Sequence, residues 1–171
     1  MGLHLRNKAV RTVRKRIYID FSYLIILAAS FGAVIVLGMI VAPVVFHSDK
    51  ILVDTILDHY NSGIIMGEIF HRFSYWLYVV AVSVALYETA MYKMGQRDAV
   101  VFGSAVTVLF SSLMFSAVYS PKILSMQAIG TEATQSDTFK NIHIASELDF
   151  KILAVALLVL FVRRLMLLRI S

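Results

Sequence analysis

The stretch FSYLIILAASFGAVIVLGMIVAPVVF, residues 21–46, contains no charged side chain and follows six Lys and Arg residues within positions 6–16. About 20 apolar residues, each rising 1.5 Å, cross a hydrocarbon core of roughly 30 Å, so the stretch predicts a membrane-spanning helix. A cleaved signal peptide also begins with basic residues, but its apolar part has only about 7–15 residues. The longer stretch here, which ends Ala-Pro-Val-Val-Phe, predicts a retained helix over about 20–46.

The composition of the whole chain is typical of an integral membrane protein. Of its 171 residues, 59% are apolar and 16% are charged, and the mean hydropathy is +0.78. Soluble domains carry about 25% charged residues. The lack of cysteine excludes disulfides and thiolate metal ligands. The net charge of +5 does not predict nucleic-acid binding, because the basic residues flank the apolar stretches.

Three more spans are predicted, and their approximate positions are 68–92, 98–120 and 142–164. The last uncharged run covers only residues 152–162, which is too short to cross a bilayer. Because Arg163 and Arg164 must lie near a headgroup layer, the fourth helix has to begin near Ile142. This places three charged residues inside the outer edge of the membrane: Glu147, Asp149 and Lys151.

The distribution of basic residues predicts the orientation. With both termini in the cytoplasm, eleven Lys and Arg residues lie on the inner side and five on the outer side, which obeys the positive-inside rule. The predicted fold is therefore all-α, an integral four-helix bundle of the inner membrane with antiparallel neighbours. Residues 1–17 form a basic cytoplasmic N-terminus and residues 18–168 the four-helix domain, with the lipid bilayer as its surroundings.

Two pairs of ionisable residues near the outer ends of the second and fourth helices form the candidate site. Glu68 and His71 are three residues apart, and His143 and Glu147 are four apart, so each pair shares a helix face. If the bundle turned both faces inward, two imidazoles and two carboxylates would meet. These donors suit Zn²⁺, Cu²⁺ or Fe²⁺, although four-helix carboxylate sites use two Glu-x-x-His motifs and this chain has one. The prediction is a site for a divalent metal or copper.

Structural ion pairing is the alternative interpretation of the same region. Glu68 with Arg72, and Glu147 with Lys151, each place an acid four residues before a base, the favourable order on a helix. A further pair between helices, Arg72 with Asp149, would limit the cost of burying charge in the membrane. In this interpretation the charges fix packing and bind no ligand.

Four short motifs resemble a known family of membrane proteins. The first span ends Ala-Pro-Val-Val-Phe at 42–46, and Gly-Glu-Ile-Phe at 67–70 opens the second. Pro121 follows the third, and Phe139 and His143 lead the fourth. This order is similar to the four-helix domain typified by transmembrane protein 205 and its bacterial relatives, over most of residues 20–165. The resemblance implies a membrane protein without established enzymatic activity, and some members are discussed in connection with metal handling.

Three functions are compatible with the sequence. The protein could bind or move a metal ion or small solute through the outer polar site. It could instead be an accessory subunit that packs against a membrane-protein partner or another copy of itself. It could also be a b-type haem protein with His71 and His143 as axial ligands. No hydrolase triad, phosphate loop or nucleotide motif occurs, so enzymatic activity is not predicted.

Overall fold

The computed structural model describes the backbone of residues 2–51 and 57–170, and side chains within 17–51 and 57–168. It is all-helical: 92% of residues are in helices, and the described part of the chain contains no strand. The predicted all-α class is therefore confirmed for these residues.

The first helical stretch runs without interruption from the N-terminus to Phe46. Helix α1 covers Gly2–Val36, a π-helical turn covers Leu37–Val41, and α2 covers Ala42–Phe46. Pro43 lies in the first turn of α2, directly after the π-helical turn, and because proline has no N–H it interrupts the regular series of backbone hydrogen bonds at this point. A 3₁₀ turn at Ser48–Lys50 then ends the stretch.

Side-chain caps begin the next two long helices. Helix α3, His59–Lys93, starts after Asp58, whose carboxylate accepts the Asn61 N–H at 2.7 Å. Helix α4, Ala99–Met114, starts after Asp98 in the same way and continues through a π-helical turn at Phe115–Tyr119 into α5, Ser120–Ile129. Gly130, with φ of 123°, ends α5 in a conformation that favours glycine.

The last part of the chain contains a short and a very long helix. Helix α6 covers Thr131–Thr134, and α7 covers Asp137–Ile170. Helix α7 packs mainly against α4 and α1, and α3 packs against the same two helices. Helices α3 and α7 therefore stand across the core from each other, where Phe70 and Phe73 of α3 meet Phe150 of α7.

Contacts at the two ends show the direction of each helix. At one end, Glu88 near the end of α3 contacts Arg164 near the end of α7 and Tyr23 near the start of Ile17–Phe46, the apolar part of the first stretch. At the opposite end, His59 at the start of α3 lies against Phe46. Sequential long helices therefore alternate in direction. We call the two ends of the helical core the Glu88 end and the His59 end.

Three helical stretches in the described residues are long and apolar enough to cross a membrane: Ile17–Phe46, His59–Lys93 and Ala99–Ile129. Large apolar side chains such as Phe21, Leu86, Phe102 and Phe110 are exposed on them, as lipid contact requires. The core between the helices is also apolar, and its fully buried residues include Leu27, Leu77, Val108, Leu153 and Leu157. The protein is thus a helical membrane protein in which three spans are apparent.

Candidate functional site

On α3, Glu68 is exposed and His71 is half-buried. Arg72 donates from Nε to Glu68 Oε1 at 2.7 Å, and both side chains are more than half exposed. The ring of His71 contacts Tyr75 one turn further along, with 3.3 Å between Nε2 and the hydroxyl. These contacts all lie within one helix.

The corresponding residues of α7 are also exposed and locally paired. Lys151 donates from Nζ to Glu147 Oε1 at 2.7 Å, and these side chains are 69% and 57% exposed. His143 is exposed, and its ring lies 6.0 Å from that of Phe139. Here too the partners belong to the same helix.

The two exposed faces do not converge on one point. Because α3 and α7 stand across the core from each other, an exposed side chain on one points away from an exposed side chain on the other. Within the described residues, no three His, Asp or Glu side chains form a group able to hold a metal ion. The four-residue metal site therefore stays a prediction.

Asp149 differs from these residues because it faces the core. The residue is 8% exposed, and its hydrogen-bond partner is the Ser111 hydroxyl of α4. Among the described residues, none donates a hydrogen bond to its second oxygen, Oδ2. The predicted pair with Arg72 is absent from this arrangement, since Arg72 bonds Glu68 on its own exposed face.

The Glu88 end contains the largest polar network. The Arg164 guanidinium is 3% exposed, bonds both carboxylate oxygens of Glu88, and donates from Nη1 to Gln96 Oε1 at 3.0 Å. The Tyr23 hydroxyl donates to Glu88 Oε1 at 2.7 Å. One buried ion pair thus connects α1, α3, the α3–α4 turn and α7.

Two stacked tyrosines extend this network. The rings of Tyr23 and Tyr87 lie 3.8 Å apart and nearly parallel, and the Arg164 guanidinium lies over the Tyr87 ring. The Tyr87 hydroxyl donates to Asp20 Oδ1 at 2.8 Å, and Asp20 is buried. Each polar group here has a partner on a different helix, which is the geometry expected for fixed packing.

Asp98 connects the α3–α4 turn to α7 at the same end. Its Oδ1 accepts the N–H groups of Val100 and Val101, and its Oδ2 accepts Nε and Nη2 of Arg163 at 3.1 and 2.7 Å. The bonds from Arg163, with the Val101 N–H, lower the pKa of Asp98 from 3.8 to about 2. The carboxylate is therefore both a helix cap and an interhelical anchor.

The sequence predicted only that Arg163 and Arg164 lie near a headgroup layer, and it did not predict this network. The spacing of residues along α7 indicates that Arg164 faces the core. Arg164 continues the fully buried series Leu153, Leu157 and Leu160 at intervals of three or four residues. On a helix this period defines one face, so Arg164 shares the core-facing stripe.

The fold and the exposed apolar surfaces define the class, an all-helical membrane protein. A family model described as a domain of unknown function, DUF4149, matches residues 25–132, more than half of the chain. The chain therefore belongs to that family. The match begins within α1, after Asp20 and Tyr23, covers α3, α4 and α5, and ends before α7, which carries Asp149 and Arg164. No curated protein and no solved structure matches the chain.

Proposed function

We propose that the protein crosses the inner membrane four times, with both termini in the cytoplasm and α7 as the fourth span. The buried face of α7 supports this arrangement, because it packs against two of the apparent spans. Arg163 and Arg164 lie at the Glu88 end, where the basic N-terminal part of α1 also begins. That end is then the cytoplasmic side.

We further propose that the protein is an accessory subunit that pairs with another membrane protein or a second copy of itself. The exposed ion pair of α7 carries this proposal. Along the helix axis, Lys151 lies about 20 Å and Glu147 about 26 Å from Arg164, within a hydrocarbon core of roughly 30 Å. Charged groups at that depth normally face protein or water, and here they face outward.

Charge reversal on this face tests the accessory role. The protein is extracted in mild detergent, and its mass and stoichiometric partners are determined by native mass spectrometry. We expect a dimer or a fixed partner, and we expect Glu147→Lys to dissociate it. Asp137→Lys is the matched control, because Asp137 is exposed at the start of the same helix. A protein that is monomeric before any substitution would refute the proposal.

Metal binding by Glu68, His71, His143 and Glu147 is the second proposal. Each helix presents an imidazole and a carboxylate one turn apart. These two donors would supply half of the four ligands of a site for a divalent metal or copper. Because the two halves face apart in one chain, a second copy would have to complete the site. The same condition applies to haem held by His71 and His143. Element analysis and an absorbance spectrum of the extracted protein, repeated for His71→Ala, test both.

The resemblance to transmembrane protein 205 and its relatives is also a proposal. Its motifs at 42–46 and 67–70, and Pro121, lie inside the matched residues 25–132. On this proposal the protein acts through binding or assembly and has no enzymatic activity of its own.

A further inference from the structure

Asp149 is a buried carboxylate whose surroundings leave one oxygen without a donor. It lies on the face of α7 that contacts α4, and Ser111 is its hydrogen-bond partner. Its Oδ2 receives no hydrogen bond from the part of the chain that the structure describes. Because buried polar atoms nearly always have a hydrogen-bond or ion partner, we expect this oxygen to have one that the described residues do not supply.

At its depth in the membrane, the Asp149 carboxyl is either protonated and neutral or ionised beside a positive partner. The residue lies about 22 Å along α7 from Arg164, inside the hydrocarbon core of the proposed fourth span. An isolated carboxylate in such a place costs far more free energy than a single hydroxyl donor returns. The nearest bases along the chain and across the core are engaged elsewhere, Lys151 with Glu147 and Arg72 with Glu68.

The groups around Asp149 offer oxygen ligands. Ser111 is buried on α4 and donates to the carboxylate, and its hydroxyl oxygen keeps lone pairs that a cation can use. The π-helical turn Phe115–Tyr119 follows within one turn, and such turns are frequent at functional sites. Phe115 and Phe150 contact each other with ring centroids 5.0 Å apart, so aromatic rings border this region.

The chemistry of these donors defines the class of ligand. Carboxylate and hydroxyl oxygens suit hard cations, and the donors named here include neither imidazole nor thioether. One carboxylate neutralises one positive charge, whereas a divalent ion would leave a net charge buried in the membrane. We propose that Asp149, with Ser111, binds a monovalent alkali cation, Na⁺.

Thermal unfolding of the full chain in detergent tests this site, in NaCl and in choline chloride at equal ionic strength. Na⁺ bound to the folded state raises the unfolding temperature, whereas choline is too large to enter. We expect the wild-type protein to unfold at a higher temperature in NaCl. Asp149→Asn should abolish the difference, and Asp137→Asn, which changes an exposed acid at the start of the same helix, should preserve it.

A direct binding measurement keeps the test decisive if Asp149→Asn does not fold. Equilibrium binding of ²²Na⁺ to the wild-type protein should saturate at one ion per chain. Ser111→Ala should fold and bind about tenfold more weakly, the effect of about 1.4 kcal/mol for one lost ligand. The proposal is overturned if the wild-type protein binds no ²²Na⁺ and unfolds at the same temperature in both salts. A protonated Asp149 would give this result.

Discussion

Replacing Arg164 by methionine should destabilise the protein by about 3–5 kcal/mol, the range for removing one partner of a buried ion pair. Arg164 is 3% exposed and supplies two of the hydrogen bonds to Glu88 and one to Gln96. Methionine has a similar length and keeps most of the apolar packing. The loss therefore comes mainly from Glu88, which retains the Tyr23 hydroxyl as donor but has no counter-charge.

The double variant Glu88→Gln/Arg164→Met should recover most of that loss, because it removes both buried charges. Arg72→Met is the matched control, since the Arg72 side chain is 78% exposed and pairs with Glu68 of the same helix. That pair should be worth only about 0.3–0.5 kcal/mol. Unfolding in a denaturing detergent can be followed by fluorescence of Trp76, the single tryptophan, whose indole donates to Ser30 in the core. Equal losses for Arg164→Met and Arg72→Met would refute the reasoning.

Two further predictions concern Asp98 and Gly67. Because the folded pKa of Asp98 is about 2 and its ordinary value is 3.8, its stabilising effect is complete above about pH 4 and is lost as pH falls through 2. Asp98→Asn, which keeps a capping oxygen but loses the charge, should remove that contribution to the unfolding temperature measured across this pH range; an unchanged acid profile would contradict the assignment. Gly67→Ala should cost about 1–3 kcal/mol, since its Cβ would collide with the Gln127 side chain. Gly32→Ala, with no atom near the added Cβ, should be neutral or slightly stabilising in the same unfolding assay, and equal effects would contradict the collision.

Hydropathy was enough to predict the helical class and the membrane location. The uncharged run at 21–46 lies within the first apparent span, Ile17–Phe46. The limits of the helices were harder to predict, because helices extend beyond the apolar runs. Helix α3 begins at His59, nine residues before the predicted span at 68, and the third stretch continues through a π-helical turn and past Pro121 to Ile129.

Side-chain contacts between helices depend on rotation about each helix axis, which a single sequence determines poorly. Pairs four residues apart need no such information, and both Glu68–Arg72 and Glu147–Lys151 are within contact in the structure. The prediction that His71 and His143 face inward does depend on the rotation of each helix, and the structure places His143 on an exposed face. Asp149 faces the core instead, although it is only two residues from the exposed Glu147.

The ion pair between Glu88 and Arg164 joins residues 76 positions apart in the chain. During synthesis the ribosome produces the carboxylate first, and the guanidinium follows only after the turn at Asp98, two further helical stretches and most of α7. Glu88 therefore enters the lipid environment before its counter-charge exists. Arrival of the last helix supplies the counter-charge, so a chain that stops before α7 leaves Glu88 with the Tyr23 hydroxyl as donor but without a cation.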